Sequence, residues 1–326
     1  MTDASPEASE APEREKLRSS WAHRLVPWVI TIACFGYLYS RIAGEAGRKG
    51  LSAGAYLAEI FASVDWTAWL ALMVPYSFFY FLIDTLILWR VLAWFNTRVP
   101  YRDLFPVRAS TYIISILNEQ VGKGAIALYL NRRDGVPAWQ VGGCMLFIMF
   151  CEFYYLLTWA LVGSTVSWDR VPEIFHGIPI VAVAAGIVFV TVVYLFRSER
   201  MSGFALRKRQ IFTAFQQADW WQYLTVIVLR SPALLAAVWV YSKAAALFGV
   251  EIGLIEMLGV LPVIFFGTLI PGPFRAAAVT LWPTLFPGNE GQMTAFGFVQ
   301  HNFFVLFNAG IGLLFLRRAN RELFGK

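Results

Sequence analysis

The chain has 326 residues, of which 58% are hydrophobic and only 15% charged, and its mean hydropathy is positive. A soluble domain carries about 25% charged residues, so this composition excludes a water-soluble globular protein. The formal charge of +6 then reads as loop charge facing anionic lipid headgroups and not as a nucleic-acid-binding surface.

Cys34, Cys144 and Cys151 all lie inside apolar runs and behave as small hydrophobes. With no CxxC and only His23, His176 and His301, which are scattered, neither a disulfide, a metal site nor a cofactor is expected. GxSxG, HExxH and a nucleotide-binding loop are missing as well, so no enzyme is expected.

In chain order, residues 1–23 are polar and mixed in charge, the composition of a disordered cytoplasmic tail. Leu25–Ser40 is a short apolar run behind basic residues. It is read as an uncleaved anchor, although the Ala-Gly-Glu-Ala stretch at 43–46 resembles a signal cleavage site. Five longer apolar runs follow: Trp66–Phe95, Trp139–Thr165, Gly177–Phe196, Trp220–Phe248 and Met293–Leu316. Each has roughly the 20 residues a spanning helix needs. Trp28, Trp66, Trp69, Trp139, Trp168, Trp220 and Trp221 stand near the ends of these runs, as an interfacial belt would place them. Leu51–Ser63 and Gln210–Asp219 read as interfacial helices.

Two further stretches are apolar but broken. Arg108–Asn131 is interrupted by Asn118-Glu119-Gln120-Val121-Gly122-Lys123-Gly124, and Ile252–Phe286 by Leu269-Ile270-Pro271-Gly272-Pro273-Phe274-Arg275. Broken backbone survives at membrane depth only where protein or a water-filled cavity covers it, so both are expected to be re-entrant hairpins. Arg98, Arg102, Arg108, Arg132 and Arg133 flank the first; Arg197, Arg200, Arg207, Lys208 and Arg209 follow the fourth long run; Arg317, Arg318, Arg321 and Lys326 lie at the end. The positive-inside rule then puts both termini in the cytoplasm, with Arg41, Arg48 and Lys49 as misfits on the outer side.

The expected fold is therefore an all-α polytopic membrane protein. It has about six transmembrane helices plus two re-entrant hairpins in an inverted repeat, as one membrane domain over residues 24–326. The inverted halves cover about 25–165 and 177–317. Interrupted segments at matching positions in two halves point to a transporter binding site.

Candidate site residues are the polar groups that these apolar segments carry. Lys123 between two glycines suits a phosphate at a helix end, with Asn118, Glu119 and Gln120 beside it; the alternative is a lysine that snorkels to the headgroups. Arg275 offers five donors fitted to phosphate or carboxylate, or else closes its hairpin on a neighbouring carbonyl. Intramembrane carboxylates line cavities or pair with cations, so Glu119 or Glu152 is expected to face the cavity as a proton site. Glu119 and Lys123 are also spaced as an internal i,i+4 pair. Asp84 and Arg90, six residues apart, do not share a helix face. Arg230, in Arg-Ser-Pro, reads more readily as a cytoplasm-facing residue at a proline kink than as a cavity cation. His301, with Asn302 and Asn308, gives its helix a polar face that serves as inter-helix glue or, less readily, as a ligand.

The run Asn118…Gly122-Lys123-Gly124…Leu130-Asn131-Arg132-Arg133-Asp134-Gly135-Val136-Pro137, followed by Glu152, resembles the first motif region of the lysylphosphatidylglycerol synthase membrane-domain superfamily of flippase-like proteins. Leu261-Pro262 and Pro271-Gly272-Pro273 are similar to its second, proline–glycine motif. The family commonly has Gly-Glu where this chain has Gly122-Lys123, and a glycine-rich run leading to Glu where it has Phe274-Arg275. These cations turn the expected substrate towards an anion. No soluble aminoacyl-transferase domain lies within these 326 residues, so the resemblance implies lipid translocation and not lipid aminoacylation.

The expectation is a transporter or flippase of the bacterial inner membrane that moves an anionic lipid or lipid-linked headgroup, with ion or proton coupling left open. A membrane-embedded enzyme acting on a lipid phosphate, with Glu119 as general base, and a non-catalytic subunit of a lipid-synthesis complex are the alternatives.

Overall fold

The computed structural model describes residues 7–115, 119–198, 209–270 and 275–324. Among them there are twelve α-helices and no strand: α1 Glu7–Arg48, α2 Ala53–Ser63, α3 Trp66–Phe95, α4 Tyr101–Ser115, α5 Glu119–Asp134, α6 Ala138–Val166, α7 Ile178–Arg197, α8 Thr213–Gln217, α9 Trp220–Ala246, α10 Leu254–Gly267, α11 Ala276–Leu285 and α12 Glu290–Phe324. Short 3-10 turns at Glu173–Gly177 and Gln210–Phe212 lead into α7 and α8.

Five segments among the described residues are long and apolar enough to cross a bilayer: Trp66–Phe95, Ala138–Val166, Glu173–Arg197, Trp220–Ala246 and Glu290–Arg317. The chain is a helical membrane protein. The apolar run Leu25–Ser40 lies inside α1, which extends helical backbone upstream into the polar segment. By contrast, α4, α5, α10 and α11 have 15, 16, 14 and 10 residues. At 1.5 Å per residue none exceeds about 24 Å, short of the roughly 30 Å hydrocarbon core. Each short helix packs against its neighbour, α4 on α5 and α10 on α11.

The first interruption is narrower than the sequence suggests. Helix resumes at Glu119, so Glu119–Gly124 forms the first turns of α5 and not a loop. The glycines are tolerated because α5 is short and packed on both α4 and α6. In the second interruption, residues 271–274 lie outside the described residues.

Helix starts follow local chemistry. The Asp65 carboxylate accepts from the backbone N–H of Thr67 and Ala68, both at 3.0 Å, and so caps α3. At α9 the N–H of Asp219 donates to the Gln222 side chain at 2.7 Å, and the Asp219 carboxylate ties back to Arg197 of α7 at 2.9 Å. Arg41, Arg48 and Lys49, the cations that misfit the loop-charge rule, are also engaged. Arg48 reaches Glu290 at 3.8 Å, Lys49 lies over the Tyr56 ring at 4.5 Å and Arg41 over Tyr37 at 5.0 Å. Buried Glu45 of α1 accepts from the Tyr56 hydroxyl at 2.8 Å and from the Gly291 N–H, placing a carboxylate at the positive start of α12. Burial and this carboxylate hold the Tyr56 phenol well above its usual range.

Helices α3 and α9 run antiparallel. Tyr76 meets Tyr241 at 5.4 Å between ring centroids, while at the other end Trp94 meets Trp221 at 5.3 Å. Two other antiparallel pairs cross the molecule. On one side α4 lies on α12, with Phe105 against Phe315 at 5.3 Å. On the other α10 lies on α6, with Phe266 against Phe153 at 5.4 Å. Both pairs close on a glycine: a Cβ at Gly312 would stand 2.3 Å from the Ala109 carbonyl oxygen, and one at Gly163 would stand 2.2 Å from that of Leu258. Gly163 and Gly312 are 149 positions apart, and so are Ala109 and Leu258.

α7 is the most peripheral of the spanning helices. Its apolar side chains Ile180, Val183, Ile187 and Val190 point outwards, and a Cβ at Gly186 would meet nothing within 4 Å.

Backbone-to-backbone approach in a membrane requires small residues. Gly163→Ala and Gly312→Ala are each expected to destabilise the detergent-solubilised protein by about 1–3 kcal/mol, the usual range for overpacking. Gly186→Ala leaves the thermal unfolding midpoint unchanged or slightly raised.

Candidate functional site

Four ionised side chains from four helices form a chain through the middle of the bundle. Asp84 of α3 is buried, and its Oδ2 accepts from Arg108 of α4 through Nε at 2.7 Å and a terminal nitrogen at 2.6 Å. The Tyr112 hydroxyl donates to the same oxygen at 2.9 Å. Oδ1 faces Arg230 of α9 at 3.5 Å, and Arg230 in turn donates to Glu152 of α6 at 3.0 Å. Two carboxylates thus neutralise two guanidinium groups where solvent cannot, as burial of charge demands.

Two of these positions correct the sequence reading. Arg230 is not cytoplasm-facing; it is only 5% exposed, and its Nε has no partner. Pro232 does follow inside α9, but Ser231 beside it accepts from Trp159 of α6 at 2.9 Å. That bond helps hold Arg230 towards α6. Arg108 is likewise not loop charge, since it is drawn into the bundle by Asp84. Arg90 is exposed and stacks on Trp94 at 5.3 Å, on a different face from Asp84 as expected.

Beside this ion chain opens a small cavity. Tyr76, Tyr80, Tyr155 and Tyr241 line it together with Phe265, Thr268 and Phe304, and it receives Glu152, Arg230, Arg275 and His301. Four of the residues singled out by sequence therefore converge on one space, Glu152 from the first half of the chain meeting Arg230, Arg275 and His301, which lie 78 to 149 positions further on. Asn118 lies outside the described residues, as do the side chains of Glu119, Gln120 and Lys123, whose backbone belongs to α5.

Arg275 heads α11 with φ 50° and ψ 37°. It is the only residue other than glycine with positive φ among the described residues. A side chain in this left-handed conformation costs about 1–2 kcal/mol, and such strain gathers at ligand sites. Its guanidinium lies over the Phe304 ring at 5.2 Å. Among the described residues no carboxylate is within ion-pair range of it. The start of α11 adds the positive end of a helix dipole at the same place.

His301 of α12 is buried, and its Nε2 accepts from the Trp282 indole at 3.2 Å. The acceptor role leaves the ring proton on Nδ1 of a neutral imidazole. His301 is a polar wall of the cavity and a tie between α11 and α12.

Sequence reasoning missed Asp84 as the hub, and it missed the four tyrosines. The signal for Asp84 was its depth within an apolar run: a carboxylate there needs a cation. The tyrosines gave none, because aromatic residues are abundant throughout this chain.

Comparison with protein-family models, with curated proteins and with solved structures finds no match to this chain.

Removing Asp84 leaves Arg108 and Arg230 without their shared counter-charge. Asp84→Asn is expected to cost about 3–5 kcal/mol, the range for breaking a buried pair on one side. Arg275→Ala, with no ion pair to break, should cost less than about 1 kcal/mol. Unfolding in mixed micelles, followed by circular dichroism, separates the two variants.

Proposed function

We propose that this chain is a transporter of the flippase kind, which moves an anionic lipid or lipid-linked headgroup through the central cavity. The observation that carries the reading is Arg275, an arginine on the wall of a cavity with no carboxylate among the described residues to neutralise it. Unpaired cations are expensive in a membrane, and an anionic ligand in the cavity would supply the missing charge. The tyrosine-rich wall offers hydroxyl groups and aromatic faces to a polar headgroup.

The arrangement of helices supports alternating access. Helix α4 from the first half lies on α12 of the second, and α10 from the second lies on α6 of the first. The shift of 149 residues that relates their two glycine contacts also carries Glu152 onto His301 and Tyr155 onto Phe304, and all four line the cavity. With α3 and α9 antiparallel, these correspondences favour two inverted halves whose short helix pairs, α4–α5 and α10–α11, are re-entrant hairpins. The cavity then lies between halves that can rock against one another. The resemblance to lysylphosphatidylglycerol synthase membrane domains points to the same class of substrate. We place the protein in the bacterial inner membrane with both termini cytoplasmic, on the distribution of Lys and Arg in its loops.

The test is translocation of fluorescently labelled phosphatidylglycerol in proteoliposomes, with dithionite quenching to read the outer leaflet. Wild type should accelerate exchange over protein-free vesicles, and Arg275→Ala should lose at least about tenfold of that rate, the effect of one charged contact of roughly 1.4 kcal/mol. Lys123→Ala tests whether the first short helix pair contributes a second anion contact. Equal rates in wild type and Arg275→Ala would end the proposal.

A further inference from the structure

We propose that anion binding in the cavity is coupled to uptake of one proton, with Glu152 as the proton-binding residue. The inference rests on the anion-transport reading of the same site and adds the ion that accompanies the substrate.

The two carboxylates of the ion chain are not equivalent. Asp84 is secured by Arg108 through two nitrogens and by the Tyr112 hydroxyl, and it does not line the cavity. Glu152 does line it, with its side chain 18% exposed, and Arg230 is its one ion-pair partner among the described residues. Arg230 holds Glu152 at 3.0 Å but Asp84 only at 3.5 Å. Without a ligand, Glu152 therefore serves as the internal counter-anion of Arg230.

A phosphate or carboxylate that enters along Arg275 competes for the same guanidinium, whose buried Nε has no partner. Once displaced, Glu152 loses its cation and gains an anionic neighbour. Both changes stabilise the protonated carboxyl group. Apart from Arg230 and Arg275, the polar and aromatic groups that line the same cavity supply no replacement cation: Tyr76 and Tyr80 on α3, Tyr155 on α6, Tyr241 on α9, Phe265 and Thr268 on α10, and Phe304 and neutral His301 on α12, with Asp84 on the far side of Arg230. Arg275 is engaged by the ligand.

Charge bookkeeping agrees. Without ligand, Arg108, Arg230 and Arg275 face Asp84 and Glu152, an excess of one positive charge. A monoanion arriving with a proton on Glu152 leaves that excess unchanged. The loaded and unloaded sites then carry the same charge through the bilayer, so neither must cross with an extra ion to desolvate. The proton comes from water on the side where the anion binds and leaves with it on the other.

The experiment titrates full-length protein in phosphatidylcholine nanodiscs with dihexanoylphosphatidylglycerol, whose phosphodiester keeps one charge between pH 5.5 and about 8. Calorimetry in buffers of differing ionisation enthalpy counts the protons exchanged. Wild type should take up about one proton per ligand, and its affinity should rise about tenfold for each unit of pH lost. Glu152→Gln, which copies the protonated side chain, should bind at least as tightly with no proton exchange and no dependence on pH. Should that variant unfold, Glu152→Asp retains the carboxyl group and should still take up a proton. The same titration with the acyl-free headgroup, glycerophosphoglycerol, tells a free anion from a lipid, and proton uptake with either supports the coupling. Binding by wild type without proton uptake, or uptake that persists in Glu152→Gln, overturns the coupling and leaves the anion site standing. Absence of binding by folded wild type removes both.

Discussion

A charge inside a bilayer must find its opposite within the protein, and the chain Arg108–Asp84–Arg230–Glu152 is how this molecule meets that constraint. Each member comes from a different helix: α4, α3, α9 and α6. Three belong to the first half of the sequence and one to the second. The pairing therefore does more than neutralise charge, because a register slip in any of the four helices would strand an ion in a medium where stranding is costly. Apolar packing between helices in lipid is weakly directional, since lipid tails compete with side chains on nearly equal terms. The ion chain supplies the direction.

Packing is organised around it. One apolar cluster gathers the first part of α3, the last part of α9, α10 and α12 around Trp69, Trp282 and Phe296. A second gathers the last part of α3, the first part of α9, α5 and α6 around Phe147, Tyr129 and Leu92. The ion chain links α3, α4, α6 and α9, and the cavity beside it is walled by the first cluster through Tyr76, Tyr155, Leu234 and Tyr241. Two glycine contacts clamp the flanks, α4 to α12 and α6 to α10. A cavity walled by a well-packed cluster and flanked by close glycine contacts has rigid walls.

How legible this was in the sequence depended on the range of the interactions. Helices and interruptions are written locally: apolar runs of spanning length, Asp at helix starts, and Gly or Pro where a segment breaks. Glu152, Arg275 and His301 stood out for the same local reason, as polar residues inside apolar runs. The pairing was not legible, since the partners lie 24, 78 and 146 positions apart, and nothing near Asp84 names Arg230. Arg230 was misread because Ser231-Pro232 gave a sufficient local account of a kink. Arg108 was misread because it follows Arg98 and Arg102, which are exposed. The glycines around Lys123 suggested a break, yet tertiary packing of α5 against two neighbours overrides their weak helix propensity.

Among the described residues, one cation on the cavity wall remains after the charges are paired. Arg108 and Arg230 are explained by Asp84 and Glu152, Arg133 by Asp103 at 2.9 Å, and Arg197 by Asp219. Arg275 is explained by none of these. A structural role would be served as well by glycine, which adopts positive φ without penalty; instead the chain keeps a long cation in a strained conformation over an aromatic ring beside an open cavity. Glu152 is the complementary remainder, a carboxylate whose one cation is reachable from that cavity. An uncommitted cation and a displaceable anion facing the same space are the two features an anion carrier needs and a static membrane scaffold does not. That asymmetry, more than the helical architecture, gives the reading as a transporter its physical content.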